Sequence, residues 1–222
     1  MTASTHFDCL LLDFDGTLVD SAEGILLCLR HTMDTVLGRP LPEQGLLSMI
    51  GQPLRRSFAP FCDHDPQILD ACVEAYRSCW YDQGQQLWRL FPQVRDTLGR
   101  LRQRGHRLVV ASAKSHQGLA AAVTRCGLGD LIDDVFGAHD GEVDKTPLVS
   151  RALAAQSGRA VMVGDHHVDG LAAAAAGIPF IAATYGYDDP AALADLKPWR
   201  SIAAFSDLPD CLELPTAVPT DT

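Results

Sequence analysis

The stretch from Cys9 to Asp20 reads CLLLDFDGTLVD. Its first four residues are apolar with no polar alternation, which is the pattern of a short strand buried on both faces. Asp13, Asp15 and Gly16 then close the run in a loop. Residues i and i+2 of an extended segment point the same way, so Asp13 and Asp15 can both address one point beyond the strand end. Two neighbouring carboxylates repel unless a cation or a proton lies between them, and Gly16 lets the chain turn away sharply. Alone, such an Asp-x-Asp pair is an acidic loop closing a strand. The rest of the chain decides what it is for.

Downstream of Phe91-Pro92 the texture alternates. A helix is expected over 94–104 and ends at Gly105. It is followed by a strand over 107–111, a helix over 116–126 stopped by Gly127, and a strand over 134–137. A helix over 147–156 places Pro147 in its first turn, and then come a strand over 160–163, a helix over 168–176 stopped by Gly177, and a strand over 178–182. Strands alternating with helices predict a parallel sheet covered on both faces. The fold class is therefore α/β, with a Rossmann-like, doubly wound core formed by 1–20 plus 88–222. Residues 21–87 differ. Ile25, Leu26, Leu29, Met33, Val36 and Leu37 recur at helical spacing before Gly38-Arg39-Pro40. Ile68, Leu69, Cys72, Val73, Tyr76 and Trp80 form a second helical stripe. No strand is expected there, so the segment reads as an all-α insert. The tail after Leu212 reads as frayed.

Three further polar segments follow expected strands, where ligand sites of open α/β sheets form. In Ala111-Ser112-Ala113-Lys114, a hydroxyl and free backbone N–H groups can bind a phosphate. In Asp144-Lys145-Thr146-Pro147, the lysine can bring a point charge to an anion. In Gly164-Asp165-His166-His167-Val168-Asp169, Asp165 stands where a metal-binding carboxylate could join Asp13, with Asp169 one helical turn on. Each has an ordinary alternative. Lys114 and Lys145 could be solvated, Asp165 or Asp169 could be helix N-caps, and the adjacent His166 and His167 should face different ways, exposed or supporting.

The chain of 222 residues carries 18 Lys+Arg against 28 Asp+Glu, a formal net charge of −10, with 47% hydrophobic and 21% charged residues. That balance excludes a disordered chain, and the acidity disfavours a nucleic-acid partner. The seven cysteines are odd in number and contain no Cys-x-x-Cys, so neither a disulfide framework nor a zinc knuckle is expected, and a reducing, cytoplasmic setting fits. The N-terminal MTASTH has no basic region before its short apolar run, so no signal peptide is expected. Ala172–Ala176 lies too close to Asp169 and Pro179 for a membrane span.

Taken together and in order, the four segments resemble the haloacid dehalogenase-like superfamily of phosphohydrolases over about residues 7–206. DFDGTLVD resembles its first motif, Ser112 its second, Lys145 its third and GDHHVD its fourth, with AAAAAGIP as the usual continuation. The helical insert looks like the family's small α-helical cap. Ile50-Gly51-Gln52-Pro53-Leu54 is similar to a cap segment of phosphoglycolate phosphatase-like members. The second motif, often Thr-Asn in the family, is Ser112-Ala113 here, so an Asn side chain is missing.

The resemblance implies a Mg²⁺-dependent phosphatase of a small phosphorylated metabolite, with phosphoglycolate as the candidate. Asp13 would be the nucleophile of an aspartyl-phosphate route and Asp15 the general acid and base. Thr17 would orient Asp15 and contribute to the substrate site. Ser112 and the Ala113 N–H would hold phosphate oxygens, and Lys145 would offset their charge. Mg²⁺ would be held by Asp13, the Asp15 backbone carbonyl and Asp165, with Asp169 in support. Arg55 and Arg56 are candidate cap contacts for a second anionic group, or else solvated helix-end charges. Two other readings stay open: a phosphosugar mutase of the β-phosphoglucomutase type, and a non-catalytic binding protein on the same fold.

Overall fold

The computed structural model describes residues 6–47, 49–139, 142 and 144–213. Strand β1 (Cys9–Leu12) is buried at every position. It pairs in parallel with β4 (Arg107–Ser115) on one side and β6 (Ala160–Gly164) on the other. With β5 (Asp134–Ala138), β7 (Phe180–Ala183) and β8 (Arg200–Ile202), they form a six-stranded sheet in the order β5-β4-β1-β6-β7-β8. Period-2 geometry splits the apolar residues between two cores. Leu10, Leu12, Leu108, Val110, Val161, Val163 and Ile181 enter one, and Cys9, Leu11, Val109, Met162, Phe180 and Ala182 the other. Helices cover both faces: α5 (Val94–Gln103), α6 (His116–Arg125), α7 (Thr146–Ala154), α8 (His167–Ala175), α9 (Pro190–Asp195) and α10 (Leu208–Glu213). This is the expected α/β, Rossmann-like fold.

The chain steps from β1 to β4 and β5 on one side, then crosses back to β6 on the other. The C-terminal ends of β1, β4 and β6 therefore flank the point where strand order reverses, the natural crevice of such sheets.

Between residues 21 and 87 the described residues form helices alone: α1 (Ala22–Thr35), α2 (Glu43–Leu47), α3 (Leu54–Phe58) and α4 (Pro66–Asp82), with two short 3₁₀ turns. On α1 the stripe Ile25, Cys28, Leu29, Thr32 and Met33 is buried. Asp65 caps α4, its side chain accepting from the N–H groups of Gln67 and Ile68, and Pro66 takes the first turn, where its missing N–H costs nothing. These helices share a hydrophobic cluster of their own, containing Leu29, Met33, Leu46, Phe58, Cys72 and Tyr76.

Several features differ from expectation. The chain enters and leaves the helical layer through a two-stranded antiparallel ribbon, β2 (Val19–Asp20) with β3 (Arg89–Leu90). Two-residue strands carry no readable periodicity. Strand β8 was also unanticipated, because its three residues RSI show no apolar run. Strand β4 continues past Ala111 to Ser115 with a register shift between Ser112 and Ser115, so the Ser112 segment lies in an irregular strand end rather than after it. Most of the tail after Leu212 lies outside the described residues. Six cysteines are buried, Cys126 is half-buried, and all seven are free. Among the described residues no helix is long and apolar enough to cross a membrane.

Candidate active site

Asp13 follows β1 directly, and its N–H still donates to Val163 O of β6 at 2.9 Å. Its carboxylate is buried, and Oδ1 lies 2.7 Å from Lys145 Nζ. The lysine, only 3% exposed, stands just before α7 and also reaches Asp169 Oδ1 at 2.5 Å. Asp169 is held from its other oxygen, which accepts the His166 N–H at 3.1 Å. Asp169 thus closes the N-terminus of α8, with His166 as cap, and anchors the lysine.

Asp165 follows β6. Its Oδ1 accepts from Thr17 Oγ1 at 2.9 Å and its Oδ2 from the Tyr187 N–H at 2.9 Å. The carboxylate lies against Gly16, whose φ is +81°. A Cβ built there would fall 2.1 Å from Asp165 Oδ2. Only glycine both adopts that backbone and leaves that room.

Oxygens of Asp13, Asp165 and Asp169 lie within 4.8 Å of one another, all three residues buried. Three carboxylates against one ammonium leave an excess of two negative charges in a desolvated space. Burial pushes the Asp13 carboxyl up to about 7, Lys145 opposing and Asp169 adding to the rise. Burial, Asp13 and Asp169 together raise Asp165 well above the carboxylate range. Burial would lower the Lys145 pKa, but Asp13 and Asp169 hold it above the ordinary lysine range. Although close to Lys145, Asp13 Oδ1 takes no directed hydrogen bond among the described residues. Three buried carboxylates with one ammonium among them make an all-oxygen donor set that fits a hard divalent cation such as Mg²⁺.

Residues 10–183 match the profile of the haloacid dehalogenase-like hydrolases. The chain belongs to this family. It is 31% identical over 218 residues to a phosphoglycolate phosphatase of Yersinia pseudotuberculosis, covering 92% of each chain. It is 28% identical over 213 residues to pyrophosphatase PpaX of Bacillus pumilus, covering 94% of this chain and 97% of that one. Among solved structures, a predicted phosphatase from Clostridium acetobutylicum superposes with a TM-score of 0.87 at 25% identity, over 94% of this chain and 99% of the other.

The haloacid dehalogenase-like site departs from the sequence reading at several residues. Asp15 lies outside the cluster of Asp13, Asp165 and Asp169 but lines the same cavity as Asp13. Its oxygens meet Ser21 Oγ at 2.6 Å and Lys114 Nζ at 2.9 Å. Regular strand pairing ends at Leu12, so the period-2 argument lapses before Asp15. Thr17 bonds Asp165 rather than Asp15. His166 is buried, with its ring centroid 4.2 Å from that of His167, so the two rings do not face apart. They converge on Asp188, and the three residues form a second group of possible ligands. His166 also meets the helical layer, its ring filling the space a Cβ on Gly51 would take.

Ser112 is buried at the strand end, and its Oγ accepts from the Lys114 N–H at 3.4 Å. Arg55 pairs with Asp70, whereas Arg56 is exposed. Sequence reasoning missed three residues: Lys114 as a partner of Asp15, Ser21, and Tyr187. The Tyr187 hydroxyl accepts the Ser21 N–H at 2.6 Å, so this tyrosine ties the start of the helical layer to Asp165. No local pattern marks such a residue. Between the strand ends and the helical layer lies a cavity of about 760 Å³, lined by Asp13, Asp15 and Ser112 below and by α1 and α4 above.

Proposed function

We propose that the protein is a Mg²⁺-dependent phosphatase that hydrolyses a small phosphate monoester through an aspartyl-phosphate. The buried Asp13 carboxylate carries this reading, paired with Lys145 and within reach of Asp165 and Asp169. Residues 21–87 act as a cap over it, their own hydrophobic cluster making a separate packed unit.

Asp13, Asp165 and the Asp15 backbone carbonyl would hold Mg²⁺, with Asp169 in support, and the bound ion supplies positive charge that neutralises phosphoryl oxygens. Asp13 attacks phosphorus and the ester P–O bond breaks. Asp15 gives its proton to the departing alkoxide, then takes one from the water that attacks the phosphorylated Asp13. Inorganic phosphate leaves and both carboxyl groups return to their starting state. The Ser112 hydroxyl and Ala113 N–H hold phosphoryl oxygens, and Lys145 offsets their charge. Thr17 and the Tyr187 N–H fix Asp165, and Asp169 fixes Lys145. The free thiols support a reducing, cytoplasmic setting.

The test is phosphate release from p-nitrophenyl phosphate with Mg²⁺, expected to stop on addition of a chelator. Asp13→Asn should lower kcat by about 10⁴-fold or more, as loss of a nucleophile does. Turnover surviving that change would refute the mechanism.

A further inference from the structure

The cavity above Asp13 and Asp15 has more room than a two-carbon acid or an inorganic diphosphate fills. At about 760 Å³ it falls in the range of about 300–1,000 Å³ that buries drug-sized ligands. Its helical wall carries the apolar Ile25 and Leu29 from α1 and Val73, Tyr76 and Trp80 from α4, with Gln52, Arg55, Arg77 and Gln85 among them.

The aromatic part of that wall is firmly rooted. Trp80 lies parallel to Tyr76, with planes 5° apart. It meets Trp88 edge-on at 5.8 Å, and Trp88 meets Phe14 edge-on at 5.8 Å. Phe14 sits in the chain between Asp13 and Asp15, so one series of ring contacts joins the helical wall to the two acids. Rings held this way lose little freedom when a ligand packs on them.

Cations that could read a second anionic group are placed differently. Lys114 is 2.9 Å from Asp15 and rests 4.1 Å over the Trp80 ring. Arg55 is paired with Asp70. Arg77 and Arg125, also in the lining, are exposed. Because Lys114 touches both Asp15 and Trp80, a leaving group whose oxygen meets Asp15 carries its next atoms toward the aromatic wall.

Resting on the phosphatase reading above, we infer that the substrate is a phosphate monoester whose alcohol bears a planar aromatic ring, joined to the ester oxygen through a short saturated linker. Trp80, which Tyr76 backs from the core of the helical layer, is its specificity-determining residue. Aromatic packing favours such a substrate by about two- to tenfold beyond what burying its area contributes.

The experiment compares benzyl phosphate with ethyl phosphate, phosphoglycolate and pyrophosphate, using wild-type protein and Mg²⁺. Both simple esters release alcohols of similar basicity, so their ratio reads the pocket rather than the leaving group. Benzyl phosphate should exceed each of the others in kcat/KM by about tenfold or more. Trp80→Leu should lower the benzyl-to-ethyl ratio by about fivefold or more. Tyr81→Leu, at a lining position 52% exposed, should lower it less and is a second variant should Trp80→Leu fail to fold. A preference for ethyl phosphate, phosphoglycolate or pyrophosphate, or a ratio that neither variant moves, would overturn the inference while leaving the phosphatase reading standing. Calorimetric binding of benzylphosphonate over ethylphosphonate should show the same preference without turnover. That preference with no ester hydrolysed would overturn the phosphatase reading alone.

Discussion

The parallel sheet and the helical layer above it treat charge in opposite ways. Among the described residues the sheet region buries three carboxylates and an ammonium, Asp13, Asp165, Asp169 and Lys145, and also the imidazoles of His106 and His166. The helical layer buries none. Its ion pairs Arg30–Glu43, Arg39–Asp63 and Arg55–Asp70 all keep at least one well-exposed partner, and its buried polar side chains are hydroxyls such as Thr32 and Ser57. Charges out of water are costly unless paired and hydrogen-bonded. A fold that spends stability this way where the loops after β1, β5 and β6 meet concentrates reactivity there, while the other layer supplies apolar shape.

Removing one charge from each region should break or sharpen this contrast. The largest effect is expected for Lys145→Met, which leaves three buried carboxylates without their ammonium. It should destabilise by about 3–5 kcal/mol, read as a lower urea midpoint in metal-free buffer, with part of the loss recovered in excess Mg²⁺ because a ligand of the native state stabilises it. A loss below about 1 kcal/mol would show that the lysine is not the cluster's main counter-charge. Thr17→Val removes the hydroxyl that donates to Asp165 while keeping its shape, and should cost about 1–3 kcal/mol in the same measurement.

Arg55→Ala, in the helical layer, should change stability by less than about 1 kcal/mol, since its partner Asp70 is 62% exposed and screened by solvent. A large loss there would erase the distinction between the regions. The smallest effect belongs to His106, buried at the far edge of the sheet with Nδ1 2.6 Å from Phe7 O. Burial lowers its pKa below the ordinary 6.5. The unfolded chain therefore takes up the proton first, and this contribution to stability is full above pH 6.5 and declines as pH falls below it. Wild type should lose slightly more stability between pH 7 and 5.5 than His106→Gln, read by thermal melts.

Much of this was legible from local pattern. Leu10, Leu11 and Leu12, apolar without alternation, could only be a strand covered on both faces. The Gly and Pro punctuation from Phe91 to Ala182 placed the helices and strands there to within a few residues, whereas α9, β8 and α10 were not expected. Asp13 and Asp165 stood out because each follows an apolar run at a strand end, and Lys145 because it stands just before a helix. Beyond short range the reading weakened. Asp15 was given a direction by strand geometry that ends at Leu12, three residues before it. His166 and His167 were taken to face apart, although a buried helix cap brings both rings toward Asp188. The β2–β3 ribbon was invisible because its strands are two residues long.

The sequence by itself determined the order of strands and helices, the acidic strand ends and the helical nature of residues 21–87, because periodicity, caps and turn residues act over a few positions. Only the tertiary structure decided which groups share a site. Thr17 reaches Asp165 across 148 residues and Tyr187 reaches Ser21 across 166. Such contacts follow from the crossing of the chain at β1 and β6 and from the layer folded over it, and no pattern within one element encodes them.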